Sequence, residues 1–267
     1  MKILLAELTR MWRSKLLWIC TAGAFLANFA LAGFMNYERD NGLIGCFRYS
    51  VFAAGIFTAL FVGTEYSENT IRNKLAVGAG RTGIYLAELF TVTIGGLVIA
   101  AAGECAAYLR NRVLDDGIII DTRAYLLGLV ACAGAIFAAS AFFTMMGMLI
   151  TKRSSGLVWS LFISLLVMFG AMLLSSRLAE PKMAVISQLQ EDGTYAPMKL
   201  RENPYYIGGA KRVILGFVNN ATAFGAIERA RELETLPELP YLPLYALGSG
   251  AFVTAIGAAK FRKKDLK

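Results

Sequence analysis

The chain has 267 residues, of which 57% are hydrophobic and only 17% charged, with a mean hydropathy of +0.54. Soluble domains carry roughly 45–50% apolar and about 25% charged residues, so a soluble globular fold is excluded and a bilayer is required. The net charge is +8 and there is no His, which removes most zinc sites and His-based acid–base chemistry.

Met1 to Lys15 reads as an amphipathic helix. At about 100° per residue Leu4, Leu5, Leu8, Met11 and Trp12 share one face, Arg10 and Arg13 lie opposite, and Glu7 sits at the border. The pattern predicts a helix lying along the membrane surface, with packing on its own protein as the alternative, and its mixture of charge does not resemble a cleavable signal. Six apolar runs follow, each near the roughly 20 residues a span needs. They are Leu16 to Met35, Tyr49 to Gly63, Leu89 to Leu109, Ala124 to Ile150, Gly156 to Leu174, and Leu242 to Ala259. The segment from Ser175 to Pro240 differs. It is polar, holds five of the six prolines, and contains a helical stretch from about Gly209 to Glu234. The expected fold is an all-α membrane protein formed by residues 1–267 as one permease-like domain. It comprises an interfacial helix (1–15), six spans, an inner loop (64–85) and a largely helical outer subdomain (175–240).

Orientation follows from Lys and Arg. With both ends inside, the inner segments hold fourteen of them and the two short outer connections five. That is the positive-inside bias. It assigns the basic balance to topology and not to a nucleic-acid partner. The expected location is the cell membrane, multi-pass, with both termini cytoplasmic. The four Cys lack any CxxC pairing and read as small hydrophobes.

The inner loop after the second run is the most informative stretch. Ser67 or Asn69 can cap a short helix, and Gly78 can end it. Ile71 and Leu75 share one face, flanked by Arg72 and Lys74. So short a helix persists only when docked on something. A solvated charged loop would carry the same charges, and the residues leave both readings open. Gly78-Ala79-Gly80-Arg81-Thr82-Gly83 matches GxGxxG, but no strand precedes it and no βαβ unit surrounds it, so it is no dinucleotide site. No GxxxxGK[ST] occurs, so the chain is not expected to hydrolyse ATP itself.

The run Gly63-x-Glu65-x(4)-Thr70-Ile71-Arg72-x-x-Leu75-x-x-Gly78-x-x-Arg81-x-x-Ile84-Tyr85 resembles the inner loop of type-2 ATP-binding-cassette exporter permeases, among them the lantibiotic-immunity and bacitracin-type permeases. Asn203-Pro204-Tyr205-Tyr206-x-Gly208-x-x-Lys211-Arg212, with the apolar stretch through Phe217, resembles the segment before their last span. The resemblance implies a non-enzymatic permease subunit whose inner loop docks on a separate ATPase through Glu65, Ile71, Arg72, Leu75 and Arg81. It also implies a second permease copy or a related permease, ATP–Mg held only by the ATPase, and passage of a hydrophobic or amphipathic cargo between the two permeases. Antimicrobial peptides are the family-level expectation for that cargo. A membrane sensor or anchor subunit of an ATPase complex would show the same features.

Several residues within the runs are candidates for the path or for packing. Asn28 either bonds a neighbouring helix or faces a pathway. Phe52, Phe57 and Phe61 in the second run, and Phe162 and Phe169 in the fifth, pack or line the route. Ser160 and Ser164 share a face and are expected to bond backbone or pack closely. Glu104 is expected to reach water from the outer end of the third run. Asn220-Ala221-Thr222 is a glycosylation sequon on the expected outer side. No metal site and no catalytic residue is expected.

Overall fold

The computed structural model describes residues 2–32, 42–114, 122–150, 153–186, 199–231 and 241–264. The chain is an all-α multi-pass membrane protein. Its described elements in order are α1 (Lys2–Arg13), α2 (Lys15–Ala32), α3 (Gly42–Ser67), α4 (Thr70–Ala76), α5 (Arg81–Leu114), α6 (Thr122–Leu149), α7 (Arg153–Ala179), β1 (Met183–Ile186), β2 (Lys199–Glu202), α8 (Gly209–Ala221), α9 (Ala223–Arg231) and α10 (Leu242–Lys263). Six of them, α2, α3, α5, α6, α7 and α10, are long and apolar enough to cross a membrane.

The helical spans overrun the apolar runs wherever charge was taken as a boundary. α3 begins seven residues before Tyr49 and continues past Glu65, and α5 begins at Arg81 and passes Arg110 and Arg112. Within these overruns Arg48, Glu65 and Glu88 are buried and ion-paired, so a charge did not have to end the helix. The far end of the first expected span, residues 33–35, lies outside the described residues.

Two apolar cores divide the bundle. One gathers Met11, Leu17, Phe57, Phe61, Ile71, Tyr85 and Phe261 from α1 to α5 and α10 near the face carrying both chain ends. The other gathers Ile44, Phe47, Val51, Ile136, Phe143, Phe224 and Ile227 toward the opposite face. Small residues set the close approaches. A Cβ on Gly103 of α5 would overlap Ser50 Oγ and come within 2.7 Å of Asn28 Nδ2, so α2, α3 and α5 meet there through glycine.

Helices α2, α7 and α10 keep most of their surface exposed, whereas α3, α5 and α6 form the interior. Residues 175–240 hold a feature the hydropathy did not predict. β1 and β2 pair antiparallel, Met183 opposite Glu202 through Ile186 opposite Lys199. The helical stretch there is two helices, broken at Thr222; residues 232–234 of the expected stretch lie outside the described residues. α9 turns back into the bundle, and Phe224 to Ala230 are all buried. Asn220 is also buried, so the folded chain does not present the sequon's amide at its surface.

Candidate functional site

On the face carrying both chain ends, α3 ends at Ser67 and the chain turns through Asn69, whose φ of 55° is left-handed. Asn69 occupies the position before α4, but its side chain makes no capping bond. The far end is built as the sequence predicts. Gly78, at φ 88°, closes α4 with the Gly78 N–H on the Leu75 carbonyl (3.0 Å) and the Ala79 N–H on the Lys74 carbonyl (3.1 Å). That pair of bonds is a Schellman closure, and only glycine takes the left-handed position without strain.

Beneath α4 lies a cluster of five charges. Lys74 reaches inward and meets Glu65 Oε2 at 2.5 Å, Glu88 Oε1 at 3.2 Å, and Glu7. Arg10 meets Glu7 Oε2 at 2.9 Å, Glu88 Oε1 at 3.1 Å, and Glu65. Each cation therefore touches all three carboxylates. Glu65 and Glu88 are fully buried and Glu7 nearly so. The Arg10 guanidinium also lies 3.9 Å from the centroid of the Phe61 ring, a cation–π contact. Burial works to lower the Lys74 pKa, but the charges of Glu88 and Glu65 outweigh it and hold that ammonium above its usual value. An oxygen of each carboxylate lies within 4.8 Å of the others, a spacing suited to a divalent cation. Lys74 and Arg10 already fill that space, which makes the group a salt-bridge node. Mechanically it ties α1, α3, α4 and α5 together at one point.

The two edges of the amphipathic helix α1 have different surroundings. Met11 is fully buried and Leu8 packs beside the same core, so one edge of the helix docks on its own protein. Glu7 and Arg10 both reach the node, Arg10 with 30% of its side chain still exposed. Leu5 and Trp12 stay exposed and keep a membrane-facing edge.

The five residues assigned to partner docking divide accordingly. Glu65 and Ile71 face inward, 0% and 1% exposed, and contribute to the node and the core. Leu75 is half-buried against the same core. Arg81 donates to the carbonyls of Arg262 (3.1 Å) and Lys264, closing the C-terminus of α10. Arg72 alone of the five is fully on the surface. Asn73, Ala76 and Val77 join it there, with Val77 85% exposed. The sequence carried this signal. If Ile71 and Leu75 form the inward stripe at i and i+4, then positions 72, 73 and 76 point out.

A second interlock stands beside the first. Lys264 Nζ donates to the Met148 and Leu149 carbonyls at 2.8 and 3.1 Å, satisfying the last turn of α6. Burial lowers the Lys264 pKa.

No family model matches the sequence, and no curated protein is significantly similar to it.

The candidate path residues also divide. Asn28 is fully buried and donates to the Ala24 carbonyl (2.7 Å) and Ser50 Oγ (3.3 Å), a bond between α2 and α3. Phe57 and Phe61 are buried and stacked at 5.3 Å within the chain's own core. Phe52 is half-buried. Phe162 and Phe169 of α7 are more than half exposed. Ser164 Oγ donates to the Ser160 carbonyl at 2.6 Å, as expected of a span serine. Glu104 does not reach water. It is buried and accepts a 2.6 Å bond from Tyr125.

The opposite face has its own buried charge. Arg48 of α3 meets Glu228 of α9 at 3.0 Å, and Glu228 also accepts from Arg231 at 2.8 Å. This pairing and the five-charge node lie at opposite ends of α3.

Proposed function

We propose that this chain is the membrane-spanning subunit of an ATP-driven exporter, with α4 as the element on which a separate ATPase docks. The face carrying both chain ends is then cytoplasmic, in line with its concentration of Lys and Arg. The observation that carries the reading is the node. Seven residues of helix are held against three other elements by three buried carboxylates and the two cations that meet them, while the outer stripe of Arg72, Asn73, Ala76 and Val77 is left uncovered. A helix this short has no independent stability. Such investment in fixing it is understandable if force is applied there. Closure of two ATPase subunits would push on α4, and the node would pass the displacement to α1, α3 and α5 as bodies. This chain performs no covalent chemistry in that cycle. The exposed aromatic face of α7, with Phe162 and Phe169, is the surface offered to a second permease, and a hydrophobic or amphipathic cargo would pass between the two.

The test is copurification of the tagged chain from its own host in mild detergent. Wild type should bring down a P-loop ATPase, and Arg72→Glu with Val77→Asp should lose it while keeping the thermal stability of wild type. Recovery of the ATPase with that double variant, or its absence from wild type, would remove the docking role from α4.

A further inference from the structure

The bundle contains an apolar cleft that the exporter reading does not use. A surface groove of about 660 Å³ runs between α8 and α10, walled by Phe217, Tyr241, Tyr245 and Phe252. Beside it lies a second, partly open cavity of about 250 Å³ lined by α6, α7, the α8–α9 junction and α10. The two spaces share Ala221 and Ser249.

The second cavity exists because Ala138, Ala139 and Ala223 leave room between Phe142, Phe143 and Phe224. Three hydroxyls border it, and each spends its proton on backbone. Ser164 donates to the Ser160 carbonyl, Thr222 to the Asn219 carbonyl (2.9 Å) and Ser249 to the Ala246 carbonyl (3.1 Å). A water inside would find few free partners, and an empty cavity of this size costs stability in proportion to its volume. The fitting occupant is a slender apolar chain entering from the groove.

The groove's roof identifies the source of that chain. α8 exposes Val213, Ile214, Phe217 and Val218, which marks a helix lying in a membrane interface. Tyr241, at the start of α10, supplies an exposed ring of the kind found at the headgroup layer. Lys211 is exposed on the first turn of α8, about 9 Å along the helix axis from Phe217. Apolar walls, an interfacial roof and an exposed cation on that same helix match a phospholipid, its acyl chain in the cleft and its phosphate toward Lys211.

We infer that the cleft between α8 and α10 holds one membrane phospholipid, with an acyl chain seated under the α8–α9 hinge. The inference does not depend on the ATPase partner.

The full chain is purified from bilayers of phosphatidylcholine and phosphatidylglycerol, delipidated stepwise in detergent, and weighed by native mass spectrometry. Wild type should retain one phospholipid per chain after bulk lipid is gone. Ala139→Leu and Ala223→Leu, which fill the cavity from opposite walls, should each cut that retention about tenfold or more. Leu166→Ala, on the exposed face of α7, should not. Lys211→Glu should reduce retained phosphatidylglycerol about fivefold. Monodispersity and helix content identify any variant that fails to fold, and the other wall then decides. Release of all lipid by wild type overturns the proposal, as does wild-type retention in either filled variant, or a retained mass that is not a phospholipid. An unchanged Lys211→Glu overturns the headgroup assignment.

Discussion

Lys74→Met tests whether the five-charge node holds α4 in place. The substitution keeps the length of the side chain and removes its charge. Three buried carboxylates would remain with Arg10 as their sole cation. Breaking a buried pair costs about 3–5 kcal/mol, mostly because the remaining charge is left uncompensated. Lys74 is 18% exposed and its partners 0–4%, so the surface-pair value of about 0–1 kcal/mol does not apply. Adding Glu65→Gln removes one stranded charge. The double variant should therefore recover part of the loss, with a coupling of about 1–3 kcal/mol. Unfolding in mixed micelles of rising SDS content, followed by circular dichroism, measures both. The pH dependence has a fixed sign. The folded-state pKa of Lys74 is raised, so its contribution is complete below the unfolded lysine value of about 10.4 and is lost as pH rises through the higher folded value. The penalty of Lys74→Met should hold steady up to about pH 10 and shrink above it. A penalty under about 0.5 kcal/mol at neutral pH, the range of an ordinary surface change, would refute the reasoning.

Arg48→Met should cost about 1–3 kcal/mol in the same assay, because Glu228 loses one of its two cations and keeps Arg231 at 2.8 Å. Gly103→Ala should cost about 1–3 kcal/mol, since the added methyl meets Ser50 Oγ and Asn28 Nδ2 where three helices touch; pairing it with Ser50→Gly should return part of that loss. Lys264→Met should cost about 1 kcal/mol, because the Leu149 carbonyl at the end of α6 loses its donor while the Met148 carbonyl keeps only the Tyr66 hydroxyl, and increased hydrogen exchange confined to that last turn would mark the cause.

The sequence revealed the bundle because a membrane span is written locally. Charge-free runs such as 124–150 carry their own evidence, and so does Gly78, whose left-handed turn closes α4 where the residue type allows it. It was far less informative about charge. Glu65 looked like a loop residue beside Thr64 and Tyr66, and it is a buried member of α3 because Arg10 and Lys74 come to it. Arg48 looked like the edge of a span, and its partner lies 180 residues away in Glu228. Ala223–Arg231 reads as a solvated helix with three charges, yet it is buried to its last turn. A single chain without its contacts gives no sign of which distant charge neutralises which. The β ribbon was illegible for a different reason. Four-residue strands such as Met183–Ile186 are too short for an alternation to stand out.

The two buried charge groups sit at opposite ends of the same helix. α3 carries Arg48 near its start and Glu65 near its end, and its 26 residues span about 39 Å. Each group fastens a non-spanning element to α3: α9 through Arg48 and Glu228, and α4 through Glu65 and Lys74. Charges are expensive to bury, and apolar residues of similar volume often hold a core at least as well. Their retention at both ends of one helix makes α3 the rod that connects the two faces of the molecule. A displacement of α4 along the membrane normal cannot leave α9 unmoved unless α3 bends or one of the ion pairs opens. Among the described residues α3 contains no proline, and a Cβ on its Gly55 would lie 2.7 Å from Phe143, so the helix is braced by α6 where it would most readily flex. Motion imposed at α4 would therefore reach α9 at the far face.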